Sequence, residues 1–374
     1  MTRYIVIGAG AVGVTLAAEL QHAGQEVLIV ARGGQLEALR AGTLRYARPD
    51  GTRNLRLPAA AGPGDVALAE DDVLVLTTKT QDADRTLADW AWRPVLTAGS
   101  PAANARPAAS VLPVITVQNG LDAERAALRR FATVLGAVLW IAAGYVTPGE
   151  VAATNWPALG LVWLGAFPRG THPLAERVAA DLRAAGFLVH VVTEIQHAKA
   201  AKLLTSATFA LSALYRPSEL RDRAAGLLRD EAGEILVAAG LGIADLAADA
   251  DGDRDRITLR PTAGPRYTGN STAQSLTRAG SVETDFINGE IVLTARLIGR
   301  DAPVNAAVAE RVHRAQRDET APGTLDDADL AATIPQLASR PRPPVATLVE
   351  APIAGPAGLL TPPPSQAPES TAAP

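Results

Sequence analysis

The stretch from Tyr4 to Leu20, YIVIGAGAVGVTLAAEL, constrains the fold more than any other part of the chain. Tyr4 to Ile7 are the four apolar residues of a short buried strand, and residues 8–13 fit G-x-G-x-x-G ahead of a run of helix formers. Strand, tight turn and helix in that order open a dinucleotide-binding βαβ unit. Gly8 permits the turn, Gly10 leaves the backbone bare for a pyrophosphate, and Gly13 lets helix and strand approach. The phosphates then meet unpaired N–H groups at the positive end of the helix. Gly8, Ala9, Gly10, Ala11, Val12 and Gly13 are therefore candidate cofactor contacts.

The next strand, Glu26 to Ala31, tests which dinucleotide is meant. About 20 residues past the glycines an acidic side chain would hold a ribose 2′-hydroxyl, but the chain offers Ala31 and Arg32. A guanidinium there pairs with a 2′-phosphate, which favours NADPH/NADP+; the plainer reading is a solvated arginine at a strand end. Residues 44–57 read as a hairpin about Pro49-Asp50-Gly51. The run from Asp72 to Thr77 is apolar enough for a central parallel strand, and it delivers Thr78, Lys79 and Gln81 to its carboxyl end, where open α/β sheets bind ligands. A further strand, Val111 to Val117, ends in Gln118-Asn119-Gly120, where Asn119 is either a turn residue or a site residue. Residues 134–165 read as antiparallel strands extending the sheet, followed by a helix over 174–185 and a strand over 188–192.

From about residue 194 the pattern turns helical, near 194–214, 218–240, 272–279, 282–299 and 303–317. Residues 97–110 read as a mobile Ala/Pro/Ser loop, and after Glu319 the composition turns to Pro, Ala, Ser and Thr, which cannot bury enough apolar surface to offset its ordering entropy. The expected architecture is α/β: a Rossmann-type, doubly wound NADP-binding domain over 1–193, an all-α substrate and dimerisation domain over 194–318, and a disordered tail over 319–374. The helical domain offers apolar faces for a homodimer.

Composition narrows the function classes. At 48% apolar and 20% charged residues, with a net charge of −4 and scattered arginines, the chain suits neither a nucleic-acid groove nor an anionic membrane. It has no cysteine, which excludes disulfides and thiolate chemistry, and its five histidines lack ligand spacing, so no metal site is expected. The first strand starts at about Tyr4, leaving no room ahead of it for a secretory signal, and apolar stretches such as 137–143 are too short to span a bilayer, so the expectation is a cytoplasmic protein.

Lysine usage is sharper. Of 35 basic residues three are lysines, Lys79, Lys199 and Lys202, and the other 32 are arginines. Lysine can give up a proton where guanidinium cannot. Lys199, Lys202 and Ser206 are spaced i, i+3 and i+7 along one helical stripe, and two ammonium groups so placed lower each other's proton affinity on burial. Glu283 would partner a lysine across an interdomain cleft, or else sit in the first turn of a helix capped by Ser281.

The segments GAGAVG (8–13), Arg32, TTKTQD (77–82), VQNG (117–120), KAAKLL (199–204), NSTAQSL (270–276) and SVETDFINGEIV (281–292), in this order, resemble the ketopantoate reductase (2-dehydropantoate 2-reductase) family over residues 1–317. The resemblance implies an NADPH-dependent reductase of a 2-oxo acid, in the family's case ketopantoate to pantoate in pantothenate biosynthesis. It makes Lys202 the general acid, Glu283 the carboxylate that orients this lysine and the substrate, and Asn119 a neighbour of the lysine and the carbonyl. Ser271 would hold the substrate carboxylate, with Lys79 and Arg32 on the cofactor. The family pattern has asparagines four and eight residues after the lysine; here Ser206 can donate one hydrogen bond and Ala210 none. A substrate hydroxyl left unpaired costs about 1–3 kcal/mol, which bears on substrate more than on hydride chemistry. The other expected readings are a related two-domain NADP-dependent dehydrogenase with another substrate, and a noncatalytic NADP-binding or sensing protein.

Overall fold

The computed structural model describes residues 2–96, 104–145, 147–263 and 269–338. Its spine is an eight-stranded sheet: β1 (Arg3–Ile7), β2 (Glu26–Val30), β3 (Ala59–Ala60), β4 (Asp72–Leu76), β5 (Val114–Thr116), β6 (Val134–Trp140), β7 (Leu161–Ala166) and β8 (Leu188–Val191), in the order β8-β7-β6-β5-β4-β1-β2-β3. All neighbours are parallel except β6 and β7. Alternate residues of β1 serve opposite faces: Tyr4 and Val6 join the core under α1 (Ala11–His22), while Ile5 and Ile7 join the core on the other side. Burial on both faces explains why these strands read as unbroken apolar runs.

The strand order reverses at β1. The chain leaves β1 through α1 to β2 on one side and comes back to β4 on the other, so the turns after β1 and β4 lie together at the switch point, where open α/β sheets hold ligands. Helix α2 (Gly33–Ala41) follows β2 and ends at Gly42, whose φ of 67° is the left-handed stop that glycine adopts without strain. Helix α3 (Thr80–Ala91) follows β4, α4 (Asp122–Leu128) follows β5, and α5 (Pro173–Ala184) precedes β8.

The 44–57 hairpin is present as Arg45–Arg48 against Gly51–Asn54. The region 134–165 extends the sheet as expected with two strands antiparallel to each other, β6 and β7, of which β6 lies parallel to β5. Its middle departs from that layout: Ala143–Gly144 and Glu150–Ala153 pair antiparallel and join the hairpin in a separate four-stranded sheet. Apolarity marks a strand but carries no information on which sheet it joins.

Helices dominate beyond β8: α6 (Ile195–Ser206), α7 (Phe209–Leu214), α8 (Glu219–Ala238), α9 (Ser271–Thr277), α10 (Asn288–Leu297) and α11 (Pro303–Arg317). A short strand, Ile257–Leu259, returns to pair with Asn155–Pro157. The expected tail boundary at residue 319 does not hold. Residues 319–338 are ordered, with helix α12 (Asp327–Thr333) seating Leu330 and, beyond it, Ile334 and Leu337 in the core made by α7, α8 and α11. Tyr215 donates to Asp329, which also pairs with Arg311. With Leu325, which packs on the same core and whose backbone bonds to Leu214 and Arg216, these residues dock the segment. Residues 339–374, and 97–103 of the Ala/Pro/Ser loop, lie outside the described residues. No described helix is long and apolar enough to cross a membrane.

Candidate active site

The glycine turn is built as its spacing requires. Gly8 has φ of 119°, and a Cβ on Gly13 would stand 1.9 Å from the Gly8 carbonyl oxygen, so α1 packs directly on the turn. A Cβ on Gly10 would meet nothing within 4 Å, which leaves open the one position where a pyrophosphate needs a bare backbone. Ala11 opens α1 and Val12 packs at the edge of the core. The turn is tied from two sides. Thr77 donates to the Gly8 carbonyl at 2.7 Å, and buried Gln35 donates to the Ala9 carbonyl at 2.9 Å while accepting from the Gly149 amide. Gln35 was not singled out in the sequence, because a glutamine early in a helix carries no signal of a partner 26 residues away. Arg32 is exposed at the end of β2, just ahead of α2, and its side chain makes no hydrogen bond or ion pair among the described residues.

After β4, the 78–81 segment meets the 275–283 segment of the helical part. Lys79 donates to Ser275 Oγ at 2.9 Å and to the Ser281 carbonyl; Gln81 donates to Ser281 Oγ at 2.7 Å. Burial pushes the Lys79 pKa down, against the pull of Glu283 and with the push of Arg278. Arg278 itself lies over the Tyr145 ring at 5.0 Å. Thr78 Oγ1 and Gln81 Oε1 are buried without partners among the described residues. Ser271 is the first residue of α9, and its carbonyl accepts from Ser275 Oγ at 2.9 Å.

Glu283 and Lys202 are not an ion pair. Glu283 Oε1 accepts from the Thr80 amide at 2.9 Å and the Thr80 hydroxyl at 3.0 Å, at the first residue of α3. Unpaired helix N-terminal amides and the nearby Lys79 draw the carboxylate there. Lys202 has no hydrogen-bond or ion-pair partner among the described residues; its Nζ lies 5.6 Å from the Phe209 ring centroid. Desolvation alone lowers its pKa to about 8. Lys199 does not contribute to that shift as the helical stripe suggested, because its own charge is paired: Nζ donates to Glu124 Oε1 at 2.5 Å and to the Gln118 carbonyl at 2.7 Å. Ser206 Oγ is buried without a partner among the described residues, and Ala210 is 2% exposed. Asn119 accepts from the Thr80 hydroxyl through its carbonyl, at 3.3 Å, and makes no side-chain hydrogen bond among the described residues. Gly120, at φ of 83°, lets the Phe286 carbonyl approach so closely that a Cβ would be 2.3 Å from it. Among the described residues no group of three or more His, Asp or Glu could hold a metal ion.

Comparison with known proteins agrees with this architecture. Residues 4–169 match the family model "Ketopantoate reductase PanE/ApbA", and residues 194–316 match its C-terminal counterpart. The chain is similar to 2-dehydropantoate 2-reductases of Pyrococcus horikoshii (26% identical over 302 residues, 80% of this chain and 93% of that one) and Archaeoglobus fulgidus (28% over 320 residues, 83% and 96%). Among solved structures, a PanE/ApbA family ketopantoate reductase from Ralstonia eutropha superposes with a TM-score of 0.67 at 23% identity, covering 85% of this chain and 99% of that one. A ternary structure of D-mandelate dehydrogenase with NADH and anilino(oxo)acetate superposes with a TM-score of 0.68 at 19% identity, with the same coverage. The chain thus belongs to the ketopantoate reductase family, whose members are nicotinamide-dependent oxidoreductases.

Proposed function

We propose that this protein is an NADPH-dependent reductase of a 2-oxo acid. The observation that carries the reading is Lys202: a lysine without an anionic partner among the described residues, its pKa lowered to about 8, on the helix that follows the eight-stranded sheet. A general acid works best when its pKa lies near the operating pH, and a desolvated ammonium meets that need. The glycine turn suits a dinucleotide, since space is open at Gly10 and closed at Gly8 and Gly13. Gly8 to Gly13, Lys79, Gln81 and Asn119 would hold the cofactor, with Arg32 on its 2′-phosphate.

When bound, the cofactor supplies hydride to the 2-oxo carbon. Lys202 stabilises the negative charge that grows on the carbonyl oxygen and then gives that oxygen a proton, help worth about 10²- to 10⁴-fold. The lysine recovers its proton from solvent. Glu283, held on Thr80 rather than on Lys202, and Asn119 would contact the substrate, Ser271 would take its carboxylate, and Ser206 would offer one hydroxyl. Glu283 already ties the helical part to the start of α3, so its role joins positioning with closure of the site.

Ketopantoate is one candidate substrate, by analogy with the relatives' names. A second is a 2-oxo acid with an apolar branched or aromatic side chain, favoured by the Phe209 ring beside Lys202 and by Ser206 and Ala210, which together offer a single hydroxyl. The D-mandelate dehydrogenase complex lends that reading support. Following NADPH absorbance with ketopantoate and with branched and aryl 2-oxo acids decides among them. Tight NADPH binding with no oxidation by any of these acids would sink the enzyme reading and leave a noncatalytic NADP-binding protein.

A further inference from the structure

We propose that Lys199 is a positioning residue, which fixes the Gln118–Gly120 turn against α6, the helix that carries Lys202. The proposal rests on the reading of Lys202 and Asn119 as site residues, and adds a device that aims one at the other. Three grips act on the turn. Gln118 donates through its side chain to the carbonyls of Leu76 and Thr78, at 2.8 and 2.9 Å, which joins the turn to the end of β4. Gly120 lies against the Phe286 carbonyl, which joins it to the segment holding Glu283. Lys199 supplies the third, by donating at 2.7 Å to the Gln118 carbonyl, next to Asn119. This grip comes from α6 itself, one helical turn before Lys202.

The ion pair is poorly built for stability alone. Lys199 is 3% exposed and Glu124 is fully buried. Thr116 donates to the Glu124 Oε1 that also receives Lys199, at 2.6 Å, while Oε2 is buried with no partner among the described residues. Two apolar residues of similar volume at such a spot are often neutral or stabilising, so a buried pair with an unmet oxygen calls for another reason. The reason is reach: no apolar side chain could hold the Gln118 carbonyl. It also accounts for the third of the chain's three lysines.

The test compares Lys199→Met, Glu124→Gln and the double variant with the wild type. It reads kcat and KM with whichever 2-oxo acid the wild type reduces, NADPH Kd, denaturation midpoint, and amide hydrogen exchange at residues 117–121. Misplacement of a reacting group by about 1 Å can cost about 10²-fold, so Lys199→Met should lower kcat at least tenfold with NADPH Kd within about twofold. Exchange at 119–121 should quicken, and the alkaline limb of the kcat profile should not move, since Lys202 still titrates. The double variant has no lone buried charge and should regain midpoint but not kcat. Wild-type kcat in the folded double variant, or a moved alkaline limb, would overturn the proposal. Should the wild type reduce no 2-oxo acid, the function reading fails separately, and exchange then decides: rates at 119–121 unchanged in both Lys199 variants would overturn the tie as well.

Discussion

Lys202→Met separates what the fold wants from what the chemistry wants. The lysine's pKa falls from 10.5 to about 8 because burial strips water from the ammonium, and no carboxylate among the described residues compensates. At about 1.4 kcal/mol for each tenfold loss of proton affinity, holding that charge at pH 7 would cost roughly 3 kcal/mol in a dry site, and about 2 kcal/mol here because the side chain is only half-buried. Loss of the Phe209 contact returns about 1 kcal/mol of that, so methionine should leave the protein about 1 kcal/mol more stable at pH 7. The sign depends on pH. Below about 8 the lysine is charged both folded and unfolded, and the cost is complete. Between about 8 and 10.5 the folded form is neutral while the unfolded chain still binds the proton, so wild-type stability rises and the variant's advantage fades. Urea denaturation of both proteins at pH 7 and pH 10.5 measures this. Turnover in the variant should drop about 10²- to 10⁴-fold, and wild-type kcat should decline as pH rises through about 8. A variant less stable than wild type at pH 7, or a difference that ignores pH, would refute the reasoning, because it would mean that the ammonium is satisfied in the folded protein.

Three further outcomes follow from particular contacts. Gly10→Ala should fold normally yet bind NADPH at least tenfold more weakly, a loss of about 1.4 kcal/mol, whereas Gly13→Ala should lose stability as well, because its Cβ strikes the Gly8 carbonyl; calorimetric titration with thermal melting distinguishes them. Arg32→Glu should move the ratio of kcat/KM for NADPH over NADH towards NADH, since a carboxylate repels a 2′-phosphate and accepts from a 2′-hydroxyl; an unchanged ratio would remove Arg32 from the site. Leu330→Ala should cost about 2–5 kcal/mol in denaturant unfolding, the usual range for a fully buried leucine, although composition assigned the residue to a disordered tail.

Much of the fold is readable locally. The strand at Tyr4–Ile7, the glycine turn and the helix after it follow from apolar runs, glycine placement and helix propensity within 20 residues, as does the change to helices after β8. The tail was misread for a reason of the same kind: average composition hides three apolar residues at helical spacing, and only the groove between α8 and α11 shows that they have somewhere to go.

What the chain alone determined, then, is the set of groups available: a dinucleotide turn, an arginine where an acid would stand, and a lysine that can lose its proton. Only the tertiary structure decided which charge faces which. Glu283 met the α3 N-terminus 203 residues away, and Lys199 took the carboxylate of Glu124, 75 residues away. Helical spacing put Lys199 and Lys202 on one stripe and made them look alike. One was neutralised and the other left unpaired, because a buried charge is governed by the elements packed around it, and no local pattern names those elements.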